Sequence, residues 1–466
     1  MRLNHTFLFL LFFLITSFKS VTDFSEFTIK HPEWTKDAVI YEVNIRQYTP
    51  EGTFNAFAES LPRLKKMGIK ILWLMPIHPI GEQNRKGSLG SYYSVKDYYG
   101  INPDLGTRDD FKNLVERIHA EGMYVILDWV PNHTSWDNAM AAEHPDYYKK
   151  NTEGNFMPPV ADWQDVIALD YNNPDLQQYM ENVMFYWVNE MNIDGFRADV
   201  AGFIPSDFWN KTRARLEKVK PVFMLAEWDE LWPPTFIPKE QFNPDTKLME
   251  KAFDMSYALQ LHNRMQNIAK GTGKLKDIDS YLEMERKKYP KDVYYMNFTS
   301  SHDINSWEGT EFTRYGKGAK LQAVFAALMP GMPMIYSGQE AASNKVLRFF
   351  DKDTIQWGDY VYQQFYTELF QLKIKNNALW NGNAGGDFTK IKTTDDNKVY
   401  AFSRKKDNKE VIVMLNFSGK TQTIKIIDTN KKETFFELFN KKKSLINSKT
   451  DYILPAYGYL VYHREE

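Results

Sequence analysis

ILDWVPNH, residues 126–133, is a short apolar run that ends in an aspartate and, five residues further on, a histidine. Three other segments share this form: DGFRADV (194–200), VFMLAEW (222–228) and NFTSSHD (297–303). Each run is rich in Val, Ile, Leu, Met or Phe, as a strand buried on both faces must be. Each then delivers Asp, Glu, Arg or His where such a strand exits. In a parallel α/β barrel, catalytic groups collect at the carboxyl ends of the strands. Three carboxylates delivered this way, Asp199, Glu227 and Asp303, suit acid/base or nucleophilic chemistry on sugars.

Outward from these segments, the chain alternates strand-like runs with longer amphipathic stretches from Ala38 to Leu372. The remaining runs are VIYEVNI (39–45), IKILWLM (69–75), AFDMSY (252–257) and PMIYSG (333–338), with MYVILDW (123–129), IDGFRAD (193–199) and VYYMNFT (293–299) extending those above. Helical patterns such as Phe57–Met67 and Asp109–Glu121 lie between them. Eight strand–helix units are the arithmetic of a (β/α)8 TIM barrel, here placed over residues 30–384. A doubly wound open sheet is the alternative, but it calls for a phosphate-cradling glycine loop that the chain lacks. Residues 133–173 are polar, Pro-rich and Trp-rich, which predicts a subdomain inserted after the third strand and walling one side of a cleft. From 385 to 466, short alternating runs (KVYAFSR, KEVIVMLNF, TQTIKII, YGYLVYH) predict a C-terminal antiparallel β-sandwich with its lysines on a solvated face.

A chain of 466 residues suggests two or three structural units. Its net charge of −2 gives no reason to expect nucleic acid or an anionic membrane as partner. There is no cysteine, which excludes disulfides, a thiolate nucleophile and a zinc–thiolate site. Arg2 precedes the apolar stretch Phe7–Ile15, and residues 1–20 read as an export signal cleaved near Ser17–Ser20. Nine apolar residues are too few to span a bilayer. The expectation is an exported protein, periplasmic or secreted, with no membrane span after signal removal. Aromatic residues make up 15% of the chain, enough for large cores and for stacking on sugar rings.

Arg197 stands two residues before Asp199, so both side chains leave the same side of a strand, and a guanidinium there keeps the carboxylate ionised and oriented. Glu227 follows the apolar VFMLA, which predicts desolvation and a raised pKa, as a general acid needs. Asp303 beside His302 supplies a third carboxylate, able to stabilise an oxocarbenium-like charge.

In this order, the segments resemble the alpha-amylase family of glycoside hydrolases over essentially the whole mature length. The family pattern Asp-x-x-x-Asn-His matches Asp128, Asn132 and His133; Gly-x-Arg-x-Asp matches Gly195, Arg197 and Asp199. The resemblance implies a retaining double displacement with Asp199 as nucleophile, Glu227 as acid/base and Asp303 as stabiliser. His133 and His302 then hydrogen-bond the sugar on the non-reducing side of the scissile bond. Tyr93, in GSYYSVKDYYGINP (90–103), stacks on that sugar. Members often bind calcium between barrel and subdomain, where Asn132, Asp170 and the Phe203 carbonyl match ligand positions; a metal-free hinge between Asn132 and Asp170 is the alternative. No organic cofactor is implied.

Two departures stand out. Gly202 and Phe203 replace the family's usual Lys-His after the nucleophile, and Ser301 replaces the Asn before His-Asp. The leading reading is hydrolysis of α-1,4-glucosidic bonds in starch, glycogen or maltooligosaccharides by a monomer. An oligosaccharide-specific α-glucosidase or a glucan transglycosylase shares the same carboxylates, and a non-catalytic glucan-binding protein is the third possibility. Trp136, Trp228 and Trp232 are either sugar-stacking platforms or packing residues.

Overall fold

The computed structural model describes residues 24–229, 242–427 and 430–464. The export segment and Trp232 lie outside the described residues. Eight parallel strands close into a barrel: β1 (Ile40–Val43), β2 (Ile71–Leu74), β3 (Tyr124–Trp129), β6 (Gly195–Ala198), β7 (Phe223–Ala226), β8 (Met255–Tyr257), β9 (Tyr294–Phe298) and β10 (Met332–Tyr336), in that order around the ring. Each coincides with a run expected from the sequence.

Side chains alternate across each strand. Ile40, Ile71, Trp73, Ile126, Leu225, Met255 and Met296 form one buried cluster filling the barrel, while Tyr41, Leu72, Val125, Phe196 and Met224 join the larger core under the helices. The inward register then changes chemistry towards the carboxyl ends. Glu42 follows Ile40 by two residues, Asp128 follows Ile126, Glu227 follows Leu225, and Arg197 pairs with Asp128 across β3 and β6. The core thus ends in a polar layer built on its own geometric repeat.

The helix Arg108–Ala120 shows why the outer layer forms. Phe111, Leu114, Val115 and Ile118 bury one face, and Thr107 and Asp110 close a capping box at its start. The helix expected over Phe57–Met67 is instead two, Phe54–Ala58 and Leu61–Met67. Pro62 is the cause, since it lacks an N–H and fits only a first turn.

The insertion after β3 holds an antiparallel pair, β4 (His133–Ser135) and β5 (Val166–Ala168), starting with His133 opposite Ala168. The C-terminal part holds a six-stranded antiparallel sheet, ordered β11 (Asp387–Ile391), β12 (Val399–Lys406), β13 (Lys409–Asn416), β18 (Tyr459–His463), β15 (Asn430–Glu437) and β16 (Lys443–Asn447), facing the pair β14 (Gln422–Ile424) and β17 (Tyr452–Leu454). Val399, Ala401, Ile412 and Met414 pack towards Ile424 and Leu454. The alternate residues do not face solvent, as the sequence suggested. Tyr400 and Phe402 join the barrel's core, with Tyr400 edge-on to Phe325 at 6.1 Å between rings. Lysines 405, 406 and 409 cluster at the β12–β13 hairpin end instead. Among the described residues no helix is long and apolar enough to cross a membrane.

Candidate active site

Arg197 is fully buried at the carboxyl end of β6, and three carboxylates converge on it. Its Nη1 donates to Asp128 at 2.7 Å and Asp199 at 3.0 Å, and its Nη2 lies 2.6 Å from Glu227. Its Nε donates to Tyr257 at 3.2 Å, and the Trp73 ring lies 5.1 Å from the guanidinium carbon. A buried cation costs several kcal/mol in desolvation, which the surrounding carboxylates offset by charge and by the hydrogen bonds of Nε and Nη1. Burial and the charge of Glu227 push Asp199 well above the usual carboxylate range, against the pull of Arg197.

Glu227 is mostly withdrawn from water, its side chain 15% exposed, and it is held there by polar partners. Its second oxygen accepts the Val200 N–H at 2.9 Å. Val200 holds φ 39° and ψ 47°, a left-handed conformation that a β-branched residue adopts at a cost of about 1–3 kcal/mol. That twist aims the amide at Glu227, so the residue following one carboxylate positions the other.

His302 forms the second centre. Its Nδ1–H donates to Glu42 at 2.5 Å, and its Nε2–H lies 2.8 Å from the Tyr93 hydroxyl and 3.2 Å from Asp303. Burial opposes a charge on the ring, yet Asp303 and Glu42 outweigh it and hold the pKa well above 6.5. Tyr93 passes its own proton towards Asp128 at 2.9 Å, linking the two centres. Asp303 is also opposed by burial, but the positive charges of His302 and Arg197 leave its pKa lowered; its side chain is 43% exposed and faces the cleft. His133 differs: burial lowers its pKa to about 4, and its Nδ1 has no partner. The site therefore carries one charged and one neutral imidazole at neutral pH.

Beyond Asp199 the backbone of Gly202 touches the Trp228 indole, and a Cβ at Gly202 would lie 1.9 Å from Trp228 Cε2. Trp228 is 1% exposed, edge-on to Phe203 and Phe242. It is a packing residue, and the space of the missing Lys is filled by it. Trp136 is fixed within the subdomain, its indole N–H donating to the Gln164 carbonyl at 2.9 Å.

The alpha-amylase catalytic-domain model matches residues 17–166 and 160–447. The chain belongs to the alpha-amylase family. An alpha-amylase from Lactobacillus plantarum superposes with a TM-score of 0.81 at 28% identity, covering 93% of this chain and 100% of that one. A noncanonic maltogenic alpha-amylase, AmyB, from Thermotoga neapolitana gives 0.80 at 28% identity, covering 92% and 99%. Alpha-amylase MalA of Haloarcula japonica is 25% identical over 414 residues, 84% of this chain, which spans 57% of MalA's length. The chain is an alpha-amylase family glycoside hydrolase acting within a family of α-glucan hydrolases.

Within this alpha-amylase fold, Asn132 lies at the seam of barrel and subdomain, where its carbonyl accepts the N–H of Leu169, the residue before Asp170, at 3.0 Å. Calcium takes six to eight oxygens, of which the Asn132 and Asp170 side chains carry three. Asp170 Oδ1 already accepts two hydrogen bonds from Asn172, at 3.1 and 2.8 Å, and the buried Asn132 Nδ2 has no partner. Among the described residues no group of three or more His, Cys, Asp or Glu is placed to hold a metal. The site also includes residues the motifs did not single out: Glu42, Trp73, Tyr257 and Trp307. Glu42 carried a signal, a charge inside the otherwise apolar VIYEVNI. The others read as ordinary core or loop aromatics.

Proposed function

We propose that this alpha-amylase family enzyme hydrolyses α-1,4-glucosidic bonds in starch, glycogen or maltooligosaccharides by a retaining double displacement. The observation that carries it is the single Arg197 guanidinium joining Asp199 and Glu227. A bridge this short favours the roughly 5–5.5 Å spacing of a retaining pair over the wider gap that admits a water. Asp199 attacks the anomeric carbon while Glu227 gives its proton to the departing glycosidic oxygen. The C–O bond breaks, and a glycosyl ester on Asp199 forms. Glu227 then takes a proton from water, the hydroxide attacks the same carbon, and Asp199 leaves. The Glu227–Arg197 contact opens as the leaving oxygen arrives, which frees Glu227 to act as the acid.

Asp303, ionised and exposed to the cleft, faces the developing positive charge. His302, charged, donates to a sugar hydroxyl, and neutral His133 offers the unpartnered Nδ1. The test is product analysis on soluble starch and maltoheptaose with Asp199→Asn as control. Maltooligosaccharides released by the wild type and absent in the variant support the reading. Transfer products longer than the substrate move the assignment to a transglycosylase. Binding without turnover in the wild type overturns it in favour of a glucan-binding protein.

A further inference from the structure

Four loops touch one another in sequence around one side of the site. From His133, the Trp163 ring meets the imidazole edge-on with centroids 5.5 Å apart. Two residues on, Asp165 pairs with Lys86 at 2.9 Å, and Lys86 also donates to the Asp162 carbonyl at 2.9 Å. The Lys86 ammonium lies 5.9 Å from the Phe350 ring. The same loop bonds the segment beyond: Leu89 N–H donates to the Phe350 carbonyl at 3.0 Å, and Ser88 Oγ to Asp351 at 2.7 Å. Gly87 makes this approach possible, with φ 63° and no Cβ, which would fall 2.5 Å from Phe350 Cβ. Phe349 and Phe350 then reach Trp307, at 5.4 and 6.0 Å between rings, and the Trp307 indole N–H hydrogen-bonds Asp303.

This collar runs from His133 to Asp303 through the loops that follow β3, β2, β10 and β9. With β1 those strands form one continuous arc, and Asp199 and Glu227 leave β6 and β7, outside it. Glu227 meets the leaving oxygen, so the departing part of the substrate lies on its side. The collar lines the other side, where the glycone sits. Trp307 is 61% exposed there, on a π-helical turn, Ile304–Glu308. Asn305 clamps that turn by donating to the Lys345 carbonyl at 3.1 Å and accepting from Leu347 N–H at 2.8 Å. An exposed indole held rigid offers a sugar a stacking face at low entropic cost.

We propose that the collar makes this enzyme read the non-reducing end of its glucan: a short glycone stacks against Trp307, and a chain continuing past the collar is excluded. The inference rests on the α-glucan reading above. The experiment compares a chromogenic maltoheptaoside with a free non-reducing end against the same compound blocked at that end by a 4,6-acetal. Wild type is expected to cut the blocked form with kcat/KM lower by about 100-fold or more, since a steric wall admits no partial fit. Lys86→Ala, which opens the collar, is expected to raise cleavage of the blocked form by roughly 10-fold, and Trp307→Ala to raise KM on the free form more than it lowers kcat. Equal cleavage of both forms by the wild type, or no gain with Lys86→Ala, overturns the collar while leaving α-glucan hydrolysis standing. Cleavage of neither form overturns both.

Discussion

The Trp228 indole rests on the backbone of Gly202 so closely that a Cβ there would lie 1.9 Å from Trp228 Cε2 and 2.2 Å from Cδ2. Since Trp228 follows Glu227 directly, anything that lifts the ring also moves the carboxylate. Gly202→Ala is therefore expected to lose about 1–3 kcal/mol of stability, as overpacking does, and to lower kcat with little change in KM. Urea unfolding and steady-state kinetics check this; an unchanged midpoint would mean that the ring moves aside freely. The family's Lys cannot be restored at this position without evicting Trp228.

Arg197 bonds Asp128, Asp199 and Glu227 through two nitrogens. Lysine has one nitrogen and no planar fork, so Arg197→Lys leaves at least one buried carboxylate unpaired. The expected cost is about 3–5 kcal/mol of stability and a fall in kcat of roughly 1,000-fold or more. Thermal unfolding and turnover on maltoheptaose read the two effects separately.

Glu42 is wholly buried and bonds the ring of His302. Glu42→Gln keeps an acceptor for Nδ1–H but removes the charge that helps hold His302 protonated. The His302 pKa is then expected to fall, and the alkaline limb of the kcat/KM profile moves to lower pH. A variant that merely packs badly would lose activity at every pH without moving the limb.

The barrel was legible because its inward residues keep a period of two and the chemistry falls on the same register, Ile126 to Asp128 and Leu225 to Glu227. Arg197 and Asp199 were readable for that reason. The collar was not: Lys86, Phe350 and Trp307 meet through loops whose paths no periodicity specifies. The polar partners of Glu227 were not legible because the apolar run before it alternates faces, so Leu225 points inward while Met224 packs under the helices. Strands β15 and β16 escaped notice because NKKETFFE and KSLIN put polar residues on positions that alternate poorly. Gly202 stood out in the sequence only as a departure from the family's Lys, and its contact with Trp228 gives the physical reason.

Asn132 and Asp170 carry three side-chain oxygens where calcium takes six to eight, and the seam carries the Leu169–Asn132 backbone hydrogen bond. Chelation with EDTA is expected to leave the melting temperature within about 1 °C, whereas a ligand bound only to the folded state would make it depend on free metal. Added calcium should likewise not raise it. A rise of several degrees would show that a carbonyl-rich site forms on binding.

Acid should destabilise the fold through histidines buried in neutral form. His78 is 1% exposed, ringed by Tyr98, Trp129 and Trp187, and burial lowers its pKa to about 4. Its Nδ1 meets the Gly100 carbonyl at 3.1 Å, and that bond and the Asp97 charge are outweighed by burial. In the unfolded chain the same group titrates near 6.5. Between those values the unfolded state binds the extra proton, so stability rises with pH there and is lost as pH falls. One such histidine costs about 2 kcal/mol by pH 5 relative to pH 7, and about 3 kcal/mol once pH passes 4. His133, also lowered to about 4, has the same sign. His302 works the other way: its raised pKa adds stability that is fully present below about 6.5 and is lost only as pH climbs through the folded value. His78→Gln is expected to flatten the loss between pH 7 and pH 5 by about 2 kcal/mol, whatever its effect at pH 7. Urea unfolding at the two pH values measures that difference directly, and an unchanged slope would mean that His78 is already protonated in the folded protein.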